Sequence, residues 1–385
     1  MRVLMTSLLF LLTFGVASAQ TYVELFAGMD GEMELDNGED LLYWGYGYTS
    51  DNRLTFPAPT LRFSVGETAT IAMINASIEA HTIHLHGLDV DQMNDGVPHT
   101  SANIVPNDTG YYTFTSVHPG TYFYHCHVTT TLHLTMGMYG ALIIEYPNNE
   151  ITEGVSYDKD YLFQASDLEI ETNANPMAAF PFHEIRTDYF MLNGLSGSQL
   201  TDDSDQYIWY ENGETVLLRL CNLGYTRVVY NLPAELNAVV HTSDGRLLPA
   251  PFEAESLEVY PGERFSVLVS PPAGFEGSLE ADYFSLLNGE YRFTNSVPFQ
   301  EGINPTINET PLTGFAVYPN PASNVVRIER EGTAVCTVQV KSLTGEHIAR
   351  LDSDCSGKFA VDRLATGVYL LHDENGLFIS RLMLQ

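Results

Sequence analysis

Two short stretches of this chain concentrate side chains that bind metal ions. The first is His81-Thr82-Ile83-His84-Leu85-His86-Gly87. The second is His125-Cys126-His127, followed by His133 and Met138. On a β-strand, successive side chains point to opposite faces. His84 and His86 therefore share one face, and His81 is expected on the other. In the second stretch His125 and His127 share a face, and Cys126 points away from it. If the two strands pair, one side collects His81 and Cys126. The other side collects His84, His86, His125 and His127. Two metal sites then lie back to back.

The first side needs two further ligands. Two imidazoles, one thiolate and a weak axial thioether make a blue-copper (type 1) site. His133 and a methionine can supply the missing pair if the segment after Cys126 loops back over the metal. Gly137 and Gly140 are expected to help that loop turn. Met136 and Met138 both qualify as the axial ligand. The second side offers four imidazoles and no thiolate, a set that suits copper, zinc or iron. The neighbouring Cys126 favours copper, and structural zinc prefers closed, Cys-rich sites. The peptide units joining Cys126 to His125 and His127 give electrons a path between the two sites. Those three are the candidate catalytic residues. His99, His118, His183, His241, His347 and His372 are isolated and read as packed or solvated.

The elements that must position these residues are strands. Thr60 to Val65, the turn Gly66-Glu67 and Thr70 to Ile74 read as a strand pair. Tyr111 to Phe114, Thr121 to Tyr124 and Met138 to Glu145 continue the pattern, rich in Thr and aromatics. A first domain is expected over 20–146. After the turn cluster Pro147-Asn148-Asn149, a second strand-rich domain is expected over 150–300. It contains Tyr207 to Tyr210, Thr215 to Leu220 and Arg264 to Val269. A polar linker at 301–314 leads to a small domain at 315–385. The fold class is all-β: two Greek-key β-sandwiches and a small third β-sandwich.

Composition narrows the partners. With 17 Lys and Arg against 49 Asp and Glu, the net charge is −32. Such a surface repels phosphate backbones, so nucleic acid is set aside. Arg2, the apolar run Leu8 to Val16 and Ala17-Ser18-Ala19 read as a signal peptide over 1–19. Export permits disulfides, and Cys336 and Cys355 lie close enough in sequence to pair. Cys221, in an apolar run, reads as a buried free thiol.

The first domain resembles a cupredoxin (plastocyanin-like) domain of the multicopper oxidase family. Pro57 to Arg62, Asn94-Asp95-Gly96-Val97-Pro98 and Pro119 to His127 carry the resemblance. It implies that His81, Cys126, His133 and Met138 hold a type 1 copper, with Met138 rather than Met136 as axial ligand. It also implies that His84, His86, His125 and His127 belong to a type 2/type 3 copper cluster. Phe190 to Gly194, Leu218 to Asn222, Ser243-Asp244-Gly245 and Pro261 to Phe265 resemble the copper-free middle domain of a laccase. Val317 to Ala322 and Leu364 to Leu370 resemble the sorting domain of the Por (type IX) secretion system. That implies export through the periplasm to the cell surface or beyond, with the type IX machinery as a partner.

One departure matters. The family builds its trinuclear cluster from two His-x-His pairs on each of two domains, and this chain has two pairs in all. Assembly of two copies across a twofold would supply the missing half, the commonest homo-oligomer symmetry. The activity implied is oxidation of a phenol or metal ion coupled to dioxygen reduction. The alternatives are a secreted blue-copper electron carrier or copper-binding protein, and an enzyme like copper nitrite reductase. The latter also completes its site across subunits but lacks counterparts of His127 and His84.

Overall fold

The computed structural model describes residues 20–49, 53–176, 185–302 and most positions of 315–384. The expected signal peptide, His183 and positions 303–314 of the expected linker lie outside the described residues.

The first unit is a sandwich of two four-stranded sheets. Its strands are β1 (Gln20–Glu34), β2 (Asp40–Tyr48), β3 (Ala58–Ser64), β4 (Thr68–Asn75), β5 (His84–His86), β6 (Thr109–Thr115), β7 (Gly120–His125) and β8 (Tyr139–Glu145). One sheet runs β2-β1-β4-β6, the other β3-β8-β7-β5. In β6 the alternation is plain: Gly110, Tyr112 and Phe114 face inward, while Tyr111, Thr113 and Thr115 face out. Strand β7 is buried along its whole length. One of its faces lines the sandwich core, and the other is covered by the second unit. Phe63 and Phe114 meet edge to face between the two sheets, with ring centroids 5.5 Å apart.

The second unit begins with the small pair β9 (Glu150–Thr152) and β10 (Val155–Ser156). Then come β11 (Lys159–Leu168), β12 (Tyr189–Leu192), β13 (Ile208–Tyr210), β14 (Val216–Asn222), β15 (Thr226–Asn231), β16 (Val239–Ser243) and β17 (Arg246–Glu253). Strands β18 (Ser256–Val259), β19 (Arg264–Val269), β20 (Ser278–Ser285) and β21 (Tyr291–Glu301) complete it. A six-stranded sheet, β12-β11-β14-β19-β16-β17, packs on a five-stranded one, β13-β21-β20-β15-β18. Leu218, Leu220, Val228, Tyr230, Val267 and Tyr283 are among the residues of its core. Glu301, read from the sequence as linker, is the last residue of β21.

A largely buried ion cluster joins the two sandwiches. Asp160 on β11 accepts from Arg219 Nε at 2.7 Å and from Arg62 Nη1, on β3, at 3.1 Å. Arg219 also donates to Thr121 Oγ1, on β7, at 3.0 Å. Glycines let the backbones close up beside it. A Cβ on Gly120 would fall 2.7 Å from Gly245 Cα. Beyond residue 314 two further four-stranded sheets pack together, and Cys336 and Cys355 form a disulfide. Cys126 and Cys221 are buried free thiols.

Candidate metal centres

Strand β5 pairs antiparallel with β7, setting His84 directly opposite His125 and His86 opposite Phe123. The alternation therefore sends His84, His86 and His125 to one face. Their ligand atoms lie within 4.8 Å of one another. His127 joins them: its ring is 5.2 Å from that of His84 and 5.9 Å, stacked, from that of His125. Strand β7 ends at His125, so Cys126 and His127 lie just past it. The bond from Cys126 N to Met138 O, 3.0 Å, carries the pairing one residue further.

On the other face Cys126 meets His81 and His133. Its Sγ lies 3.6 Å from His81 Nδ1 and 3.0 Å from His133 Nδ1. The three donor atoms fit within the same 4.8 Å span, and all three residues are buried. His81 is not part of β5. It sits on an isolated bridge to Ile104, held by bonds of 3.1 and 3.0 Å in the two directions. Asn75, fully buried, donates to Glu79 O at 2.7 Å and Ile104 O at 2.8 Å, fixing this loop. His133 rides on a short helix, α1 (Thr130–Thr135), where the sequence suggested a loop. The preceding Thr129 has φ 43°, a left-handed conformation that β-branched residues rarely adopt.

The two glycines expected to bend this segment differ. Gly137 has φ +106° and turns the chain. Gly140 lies inside β8 with no such angle; it is needed because a Cβ there would strike the Tyr124 ring. Met136 and Met138 are both fully buried beside Cys126. Met138 N donates to His133 O at 2.9 Å, tying its backbone to the triad.

The surroundings orient the rings, and burial favours the neutral form of His81, His84, His86, His125 and His133. His84 Nδ1 donates to Asp95 O at 2.6 Å, which turns Nε2 toward the other histidines. His125 Nδ1 is 3.0 Å from Cys126 O, and His127 Nδ1 is 3.2 Å from Thr130 Oγ1. His86 Nδ1 and His125 Nε2 face each other at 3.3 Å. Burial pushes His81 and His125 down to about 3, and His86 and His133 to about 4. His84 is lowered too, again by burial. Burial raises the Cys126 thiol to about 11. His81 Nε2 and His133 Nε2 are buried without hydrogen-bond partners. Glu79 Oε2 stands 3.5 Å from His133 Nε2. Neutral imidazoles aimed at one another and at a thiol are a donor set that fits copper in both places. Asp95, Thr130 and Glu79 were not singled out as site residues in the sequence, although Asp95 lies in the stretch Asn94 to Pro98 that carries the family resemblance.

Residues 52–149 match a family profile described as multicopper oxidase, and residues 158–309 match a second one with the same description. The chain belongs to the multicopper oxidase family. Copper is the cofactor of multicopper oxidases, in type 1 and type 2/type 3 centres. Residues 316–381 match a secretion system C-terminal sorting domain, which marks the chain for secretion or the outer surface. Copper resistance protein A of Escherichia coli is 36% identical over 138 residues, covering 36% of this chain and 22% of that protein. Laccase-1 of Cryptococcus neoformans var. neoformans is 26% identical over 246 residues, 58% of this chain and 38% of that one. The chain thus spans less than half the length of these curated relatives. A blue copper oxidase from Nitrosomonas europaea is similar in structure, with a TM-score of 0.63 and 26% identity, over 73% of this chain and 86% of that one.

Proposed function

We propose that the chain is an exported copper oxidase that takes electrons from a small reductant at one face of β7 and delivers them to dioxygen at the other. The carrying observation is the triplet His125-Cys126-His127: adjacent residues belong to two donor sets on opposite sides of one strand. In this reading His81, Cys126, His133 and Met138 hold a type 1 copper. His84, His86, His125 and His127 hold half of a type 2/type 3 cluster. Bound copper supplies one-electron redox chemistry and keeps the thiol and imidazoles in their unprotonated, ligating forms. The protein's part is to hold the donors rigidly, to exclude water from the buried triad, and to join the two sets through the Cys126 peptide units. Reductant is a phenol or a metal ion, and export runs through the periplasm by the type IX route.

Among the described residues, the second sandwich contributes no group of three metal-binding side chains. We therefore propose that a second copy supplies the other four histidines across a twofold axis. The test is copper per chain after loading, together with molecular mass and dioxygen uptake. One type 1 copper per chain plus one trinuclear cluster per pair gives about two and a half ions per chain. About one ion per chain, a persistent blue colour and no dioxygen uptake would instead make the protein an electron carrier. The incomplete quartet is the observation that favours this second reading.

A further inference from the structure

Among the described residues the second sandwich gives no ligand to either donor set, yet several of its side chains reach the elements that carry them, and two of these, Arg264 and Tyr225, meet the chain beside His86 and on the helix of His133. Arg264, at the start of β19, is 2% exposed. Its Nε donates to Thr121 O, on β7, at 3.3 Å, and its Nη1 donates to Gly262 O at 2.6 Å. Nη1 also pairs with Asp244 Oδ1 at 3.1 Å, and the guanidinium carbon lies 5.3 Å from the Phe123 ring centroid. Nη2 is buried without a hydrogen-bond partner. It fills the space beside Gly87 where a Cβ would stand, and Gly87 itself has φ +88°. Gly262 backs the His86 ring: a Cβ there would touch Cε1 at 3.5 Å. One turn of the second sandwich therefore underlies His86 and Gly87.

Tyr225 does the same for the triad. Its Oη accepts from Thr135 Oγ1 at 3.0 Å and donates to Thr131 O at 3.1 Å. Both partners lie on α1, the six-residue helix that carries His133. A helix this short has little stability of its own and keeps its place through outside contacts. Tyr225 is itself anchored, since its backbone N donates to the buried Asp167 carboxylate at 2.9 and 3.0 Å.

We propose that the second sandwich is a positioning body with two independent clamps: Arg264 sets the His86 edge of the quartet, and Tyr225 sets the His133 helix of the triad. Neither touches a donor atom, so both are positioning residues. The inference rests on the reading of the two groups as metal sites. Partners bonded directly to a metal ligand typically govern about 10- to 100-fold in metal affinity, and these two act one contact further out.

The test is cobalt(II) titration of the metal-free full chain. Thiolate-to-metal absorption reports the triad, and the remaining ligand-field absorption reports the quartet. Arg264→Gln is expected to weaken quartet binding by up to about 10-fold and leave the triad unchanged. Tyr225→Phe is expected to weaken the triad and shift its thiolate band, leaving the quartet unchanged. Arg246→Ala removes a different contact across the same interface, the bond to Tyr122 Oη at 2.6 Å, and is expected to move neither. Should Arg264→Gln fail to fold, Arg264→Lys keeps the buried charge and removes the Nη2 contact at Gly87, and is expected to show the same selective loss. Equal losses at both sites in each variant, or no loss in either, would overturn the clamps while leaving the metal sites standing. A native chain that binds cobalt at neither group would overturn the functional reading and the clamps with it.

Discussion

Cys126 has a small hydrophobe's surroundings and a ligand's neighbours. Tyr46, Tyr112 and Tyr124 pack around it in the sandwich core, while His81 and His133 turn their Nδ1 atoms toward its sulfur. Replacing it by serine keeps the volume and removes the thiolate. Cys126→Ser is expected to abolish blue absorption in the copper-loaded chain while the histidine quartet still binds cobalt(II). Loss of both signals would mean that the two groups do not load separately. The alternation that separates them was legible in the sequence, because a period of two needs only neighbouring residues. Arg264 and Tyr225 were not legible as site residues. Arg264 meets β7 through residues more than a hundred positions away, and no local pattern announces such a contact. Arg219 left a trace, as one charge in the apolar run Val216 to Cys221, and it is buried on Asp160 and Thr121.

The strands and the loops between them divide the work differently. The register of strands β5 and β7 brings His84, His86 and His125 to one face. The triad depends on irregular pieces: the bridge at His81, the helix α1 and the turn at Gly137. Those pieces were the less readable part, because a six-residue helix and an isolated bridge have no periodicity to betray them. Gly140 shows the limit well, since a glycine in sequence can serve a turn or a neighbour's ring. The loop carrying His81 hangs on Asn75, whose amide satisfies two buried carbonyls and whose oxygen accepts from Ser77. Asn75→Ala removes these bonds while Ile104 O keeps His81 N and Glu79 O keeps Ser77 Oγ, at a cost of about 0.5–1.5 kcal/mol for each bond lost. Urea unfolding of the metal-free chain should show that loss. The blue absorption of the loaded variant should broaden as the His81 loop loosens.

At the scale of the whole molecule, charge governs how the parts meet. Asp160 joins the two sandwiches through Arg219 and Arg62. Burial alone would raise its carboxyl, but the two guanidinium groups hold it below the usual range. Its stabilising effect is therefore complete above the unfolded value of about 3.9 and fades as pH falls through the lower folded value. Asp160→Asn leaves the buried Arg219 short of its counter-charge, while Arg62 keeps Glu145, and is expected to cost about 3–5 kcal/mol at neutral pH. Its deficit against the native chain should shrink in acid, as followed by thermal melts between neutral pH and pH of about 2. Pairing of two copies faces the opposite problem. Each sequence carries −32 formal charges, so like charges oppose the approach. Sedimentation should show tighter pairing at about 0.15 M salt than at low salt, where the repulsion is unscreened. Pairing that weakens with salt would point to a contact built on complementary charge instead.

Gly87 is a socket cut to the shape of another sandwich's arginine. This limits how freely the halves of such a protein can be exchanged over evolutionary time. A ligand-bearing half moved onto a foreign neighbour would bring all its histidines and arrive with an empty notch beside them. A foreign half with a bulkier residue at the position of Gly87 would not seat at all. The glycine and the arginine are therefore expected to change together, and a lineage that alters one should record a matching change in the other.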